Sequence, residues 1–135
     1  MTATGNILLI LGLAALVGGV LFFGAIMAPL VFTRLPPDIA GPFIRATFPR
    51  YYAYIIVTAA ISAGGCLLRG QRVSAIALLA LLALTVWLWA WLIPHLNALR
   101  DAGNMAAFDR GHRLSVWLNG AELITALWLL IRTAI

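Results

Sequence analysis

His112, Ser115, Asn119 and Glu122 stand three, four and three residues apart in the last apolar stretch of the chain. At about 100° per residue the four side chains fall within roughly 80° of one another, so a helix here carries one polar stripe. The residues between them, among them Leu114, Val116, Trp117 and Leu118, are apolar, which places the stripe on an apolar cylinder. The residue types in the stripe are versatile. Imidazole and carboxyl groups hold and pass protons, a hydroxyl and an amide line a polar ligand, and a neutral imidazole binds metals.

Glu122 is the most demanding of the four. Counting from either end of its apolar segment puts it near the bilayer midplane, with no Arg at its depth. An ionised carboxylate there costs at least about a few kcal/mol. The sequence therefore predicts a neutral acid, hydrogen-bonded to a neighbour, and Thr58, Ser62 and Thr85 lie at matching depth.

His95 and His112 are candidate ligands for haem b iron or copper, since imidazole suits both. Phase opposes their pairing. His95 shares a helix face with Trp91, Leu88 and Leu84, while Asn97 lies about 200° away, so His95 and Asn97 do not both point inward. The chain contains no His-x-x-x-His, Glu-x-x-His, Gly-x-Ser-x-Gly or Cys-x-x-Cys, and no Gly-rich phosphate cradle. The lone Cys66 has no partner for a disulfide or a Cys-based metal site. The expectation is thus no metal, no cofactor and no enzyme, with a haem- or copper-binding redox protein built on His112 and His95 as the alternative. Arg50 and Arg100 add groups suited to anionic ligands or headgroups, and Tyr51 and Asn97 add hydrogen-bonding groups.

The elements that must position these residues follow from composition. Hydrophobic residues make up 64% of 135 positions and the mean hydropathy is +1.04, far from the make-up of a soluble domain. The chain reads as a single transmembrane domain, an all-α four-helix bundle. Spans are expected at about 7–33, 50–68, 73–100 and 105–132, each long enough to cross a bilayer. The stretch 34–50, rich in Pro and Arg with Ile39, Phe43, Ile44 and Phe48 among them, is expected as a short interfacial helix between helices 1 and 2. Pro49 then opens the second span, Gly103 ends the third, and Asn104 caps the fourth. In helix 1 the pairs Ala14/Gly18 and Ala15/Gly19 suit close packing, within the chain, in a homo-oligomer, or against another membrane-protein subunit.

The net charge of +5 comes from Arg dispersed between apolar runs, which fits contact with membrane lipids and not with nucleic acid. Arg34, Arg45, Arg50, Arg100, Arg110 and Arg113 flank the two longer polar connections, whereas Arg69, Arg72 and Arg132 lie at the end holding the termini. Four spans place both termini on one side, and the positive-inside rule puts that side outside the cytoplasm.

Several motifs in order resemble one family. Leu35-Pro36 follows a Gly-rich helix ending Phe32-Thr33-Arg34; then come Phe48-Pro49-Arg50-Tyr51-Tyr52, Pro94 with Asn97, and Phe108 with His112, Ser115 and Asn119. This series is similar to the transmembrane-protein-205-like family of small four-helix membrane proteins. The resemblance implies a link to transport or export of metal-containing or small amphipathic compounds, no enzymatic activity, and a site built from Arg50, Tyr51, Asn97, His112, Ser115 and Asn119. The lack of Lys and the Arg- and Pro-rich style suggest a bacterial inner membrane. The reading from residues and resemblance together is a protein that binds or helps move a small ligand or lipid through a polar pocket between 34–50 and 94–113. Its lining is Arg50, Tyr51, Asn97, Arg100, His112, Ser115 and Asn119, with Glu122 at the deep end. A structural subunit packing through its helix 1 small residues is a third reading.

Overall fold

The computed structural model describes residues 2–135, Thr2 by its backbone alone, and among them finds helices joined by tight turns. Four helices are long and apolar enough to cross a membrane: α1 (Ala3–Arg34), α2 (Pro37–Leu68), α3 (Arg72–Asp101) and α4 (Met105–Ala134). The chain is a multi-pass four-helix bundle, as its apolar runs require. The turns are glycine-built where the backbone becomes left-handed, with φ of 71° at Gly70 and 76° at Gly103. Asn104 caps α4 as expected, its side-chain oxygen accepting from the Ala107 N–H at 3.3 Å.

The expected separate helix at 34–50 is a correction. Only Leu35 and Pro36 interrupt the helical path between α1 and α2, and residues 37–50 form the opening turns of α2. The physical reason lies in the Pro-Pro-Asp sequence. Leu35 is extended before Pro36, Pro37 occupies the first turn where no N–H is needed, and Asp38 favours the positive helix start. Pro42 and Pro49 are carried inside the helix, so Pro49 does not open it.

The helices pack in chain order around a ring, α1 on α2, α2 on α3, α3 on α4 and α4 back on α1. Both termini lie at the end of the Gly70 turn. Gly5 packs on Leu68 and Arg69, and Leu129, Arg132 and Thr133 line a small cavity together with residues 70–74. That half of the bundle is filled by the main core, including Leu9, Leu13, Leu16, Ile55, Leu78 and Leu129. The α1–α2 seam is the closest, because Gly65 sits directly against the backbone of Gly5 and Leu9. The Tyr54 hydroxyl closes the same seam higher up, donating to the Ala15 carbonyl at 2.7 Å and packing on Gly19. Ala14 and Gly18, by contrast, are exposed.

Toward the other end the packing opens. α1 contains a π-helical turn at Phe22–Met27 and α3 another at Leu88–Leu92. The N–H of Ala28 reaches five residues back to the Phe23 carbonyl, and that of Ile93 likewise to Leu88. Each wide turn lies just before a proline, Pro29 or Pro94, whose ring and missing N–H do not fit the regular α pattern. α1 and α3 face each other across the ring, so both diagonal walls loosen on the same side of the core. A small cluster of Val31, Ala40 and Ile44 is what ties the upper part of α1 to α2.

Candidate functional site: a cavity between the loosened helix ends

Above the core lies a cavity of about 1010 Å³ lined by all four helices. α2 contributes Gly41, Ile44, Arg45, Phe48, Tyr51 and Tyr52, a stripe at spacings of three and four that exists because 37–50 is continuous helix. α4 contributes Met105, Phe108, His112, Ser115, Asn119 and Leu123 on the same principle. Ile93, Leu96, Asn97, Arg100 and Asp101 come from α3, and residues on and around the π turn, including Phe23 and Gly24, come from α1.

One wall is aromatic. Phe23 stacks on Tyr51 with ring centroids 4.3 Å apart, Phe48 stacks on Tyr52 at 5.7 Å, and Tyr51 meets Tyr52 edge to face at 5.3 Å. The mouth is charged. Arg45 and Asp101 pair at 2.9 Å between α2 and α3, with both side chains largely in the open. The Arg100 guanidinium lies over the Phe108 ring at 5.4 Å, and His112 stacks on the same Phe108 at 5.7 Å.

The deep wall carries unspent polarity. Tyr52 is fully buried and faces the cavity, yet its hydroxyl has no hydrogen-bond partner. Asn119 is in the same condition at Oδ1, while its amide nitrogen donates to the Ser115 carbonyl at 2.8 Å. Ser115 in turn donates to the His112 carbonyl at 2.7 Å. The Tyr52 and Asn119 side chains are neighbours on this wall, yet neither the Tyr52 hydroxyl nor Asn119 Oδ1 is held in hydrogen-bond geometry. Buried polar atoms left so cost about 1–3 kcal/mol each, and a polar ligand group can supply the missing partner. A smaller cavity of about 360 Å³ at the opposite end, beside Gly70 and Arg132, has no such atom in its lining.

Of the residues singled out from sequence, Tyr51, Asn97, Arg100, His112, Ser115 and Asn119 line the cavity and Arg50 and Glu122 do not. Arg50 is exposed and turns back to donate to the Ala46 carbonyl at 2.9 Å. The cation that sequence reasoning missed is Arg45. Its signal was the helix start at Pro37-Asp38, which puts 41, 45, 48 and 52 on one face. His95 is exposed on the outer side of α3, stacked on Trp91 at 5.2 Å, and does not join His112 at the cavity. Among the described residues no group of three or more His, Cys, Asp or Glu converges as a metal site.

Glu122 is buried beside the cavity's deep end, where it meets Thr85 of α3 at 2.6 Å. Of the three expected partners, Thr58 and Ser62 bond their own helix instead, Ser62 to the Thr58 carbonyl at 2.8 Å and Thr58 to that of Tyr54 at 2.9 Å. The Thr85 hydroxyl also lies 2.9 Å from the Leu81 carbonyl. It has one proton for two oxygens within reach. A neutral Glu122 resolves this arrangement, its O–H donating to Thr85 and Thr85 donating to Leu81. Glu122 Oε2 remains without a partner.

A family model described as a domain of unknown function, DUF4149, matches residues 11–105, and the chain belongs to that family. No curated protein and no solved structure matches the chain.

Proposed function

We propose that this chain is a non-enzymatic protein of a bacterial inner membrane that binds a small ligand or lipid in the cavity and helps move it. In this reading the termini face the periplasm and the cavity mouth the cytoplasm, because the Arg excess lies at the mouth. The observation that carries the proposal is the large, partly apolar cavity with the unpartnered Tyr52 hydroxyl and Asn119 carbonyl oxygen on its wall. A volume at the top of the usual ligand range, mostly apolar with a few convergent polar groups, is the general form of a binding site. The similarity to the transmembrane-protein-205-like family at Arg50, Tyr51, Asn97, His112, Ser115 and Asn119, all but Arg50 at the cavity, fits a link to transport or export of a metal-containing or small amphipathic compound.

Tyr52→Phe tests the proposal because it separates binding from folding. The hydroxyl lies near the Asn119 side chain without hydrogen-bond geometry, so its removal leaves the stability of the empty protein within about 1 kcal/mol of wild type. A ligand that uses the hydroxyl is held less well. Native mass spectrometry of gently extracted protein should show a bound small molecule in wild type, weakened in Tyr52→Phe and absent in Gly24→Leu. The position of Gly24 is open at the cavity, with nothing within 4 Å of an added Cβ. A co-purifying molecule indifferent to both changes sits elsewhere and refutes the assignment.

A further inference from the structure

The cavity is open on one flank. α1 and α4 pack together along the part of α1 up to Leu21, but no Cα of residues 22–34 comes within 8 Å of one in α4. The resulting cleft is edged by Gly24, Pro29, Phe32, Met105 and Val116, all of them exposed. On a bundle whose outer surface is apolar, an opening between two spans leads into the bilayer. Helices of 30 to 32 residues extend about 45–48 Å, beyond a hydrocarbon core of about 30 Å. The Arg-bearing helix ends therefore stand at headgroup level, and the cavity runs from that level down beside the acyl chains.

The lining changes in the same sense. Arg45, Arg100 and His112 stand toward the mouth, the rings of Phe23, Phe48 and Tyr51 follow, and Tyr52 and Asn119 lie deepest. The charge at the mouth end is positive, with Arg34, Arg45, Arg50, Arg100, Arg110 and Arg113 against Asp38, Asp101 and Asp109. Arg45 is matched by Asp101, whereas Arg100 forms no ion pair among the described residues. Its guanidinium is held over Phe108 at the cavity wall, a placement suited to a phosphate or carboxylate.

We infer that the occupant is an acidic membrane lipid, which enters sideways from the leaflet through the α1–α4 cleft and rests its anionic headgroup on Arg100 with an acyl chain along the aromatic wall. The inference rests on the binding reading above and names the ligand class. A free anion satisfies Arg100 but has no use for the side opening or the rings. A neutral lipid fits the opening but leaves Arg100 unmatched.

The test uses the full chain in phosphatidylcholine vesicles containing a minority of phosphatidylglycerol, followed by mild extraction and native mass spectrometry. Phosphatidylglycerol should be retained well above its share of the bilayer, and that preference should fall about tenfold or more in Arg100→Gln. Gly120→Phe should remove it too, since Gly120 lines the cavity and has open space around an added Cβ. Arg100 is exposed, so its replacement leaves the fold intact even where the filled variant is damaged. Retention that survives Gly120→Phe but not Arg100→Gln places the lipid on the charged surface and overturns the inference. Equal retention of both lipids, displaced together by Gly120→Phe, overturns the acidic-lipid assignment while the binding reading stands. Absence of any retained lipid in wild type overturns the inference, and the binding reading is then decided by the Tyr52→Phe comparison.

Discussion

Glu122 and Thr85 give the sharpest residue-scale expectation, because their partners are unequally provided for. If Glu122 is replaced by Leu, the Thr85 hydroxyl keeps the Leu81 carbonyl at 2.9 Å, so the cost is small. If Thr85 is replaced by Val, both Glu122 oxygens are left without a partner, since Oε2 has none already. Thr85→Val should therefore cost about 1–3 kcal/mol in reversible unfolding, and more than Glu122→Leu. Infrared spectroscopy at neutral pH should show a protonated-carboxyl band lost in Glu122→Gln. Absence of the band, or the reverse order of stabilities, contradicts the neutral-acid arrangement. The stripe itself was legible in part: spacing alone put His112, Ser115, Asn119 and Glu122 on one face, of which Ser115 and Glu122 are buried, Asn119 is half-buried and His112 is exposed at the cavity. Which neighbour Glu122 would choose was not. Thr58, Ser62 and Thr85 share its depth, and only the ring order of the helices, with α3 beside α4, singles out Thr85.

At the scale of the elements, glycine decides how closely the helices approach. A Cβ on Gly65 would stand 2.6 Å from the Leu9 nitrogen and 2.7 Å from the Gly5 carbonyl oxygen, both backbone atoms that move only with the helix. One on Gly18 would meet nothing within 4 Å. Gly65→Ala should therefore destabilise the bundle by about 1–3 kcal/mol in unfolding titrations, while Gly18→Ala should be neutral or slightly stabilising through helix propensity. Equal effects would mean that α1 and α2 do not meet as described. From sequence, the small-residue pairs Ala14/Gly18 and Ala15/Gly19 stood out, but half of that pattern faces outward. Small residues reveal that a close approach is feasible; only the partner's side chains, such as Tyr54 against Gly19, reveal where it occurs. The stretch 34–50 was misread for a related reason. Its prolines and charges suggest interruption, yet Pro37 falls where a proline is free of cost, and the charges belong to a helix longer than the hydrocarbon core. The π turns before Pro29 and Pro94 leave no periodic trace in an apolar run, so the loosened upper half of the bundle was not legible.

For the whole molecule, the topology and its orientation are separable. Tight turns force antiparallel neighbours, and the packing of Gly5 on Arg69, with Thr133 and the 70–74 turn lining one cavity, puts both termini at one end. Orientation rests on charge alone, with six Arg at the cavity end and three at the other. Single cysteines at Thr4, Ala102 and Thr133 read out both. The native Cys66 is fully buried and should stay silent to a membrane-impermeant thiol reagent. In intact cells the reagent should label Thr4→Cys and Thr133→Cys and leave Ala102→Cys unlabelled until the membrane is permeabilised. Thr4 and Ala102 are exposed, and Ala102 is preferred over Gly103 because a side chain at φ 76° would strain the turn. Discordant labelling of positions 4 and 133 contradicts the four-span bundle itself. Concordant labelling with Ala102→Cys as the accessible site keeps the bundle and inverts it, which would turn the cavity mouth and Arg100 toward the outer leaflet as the source of any lipid.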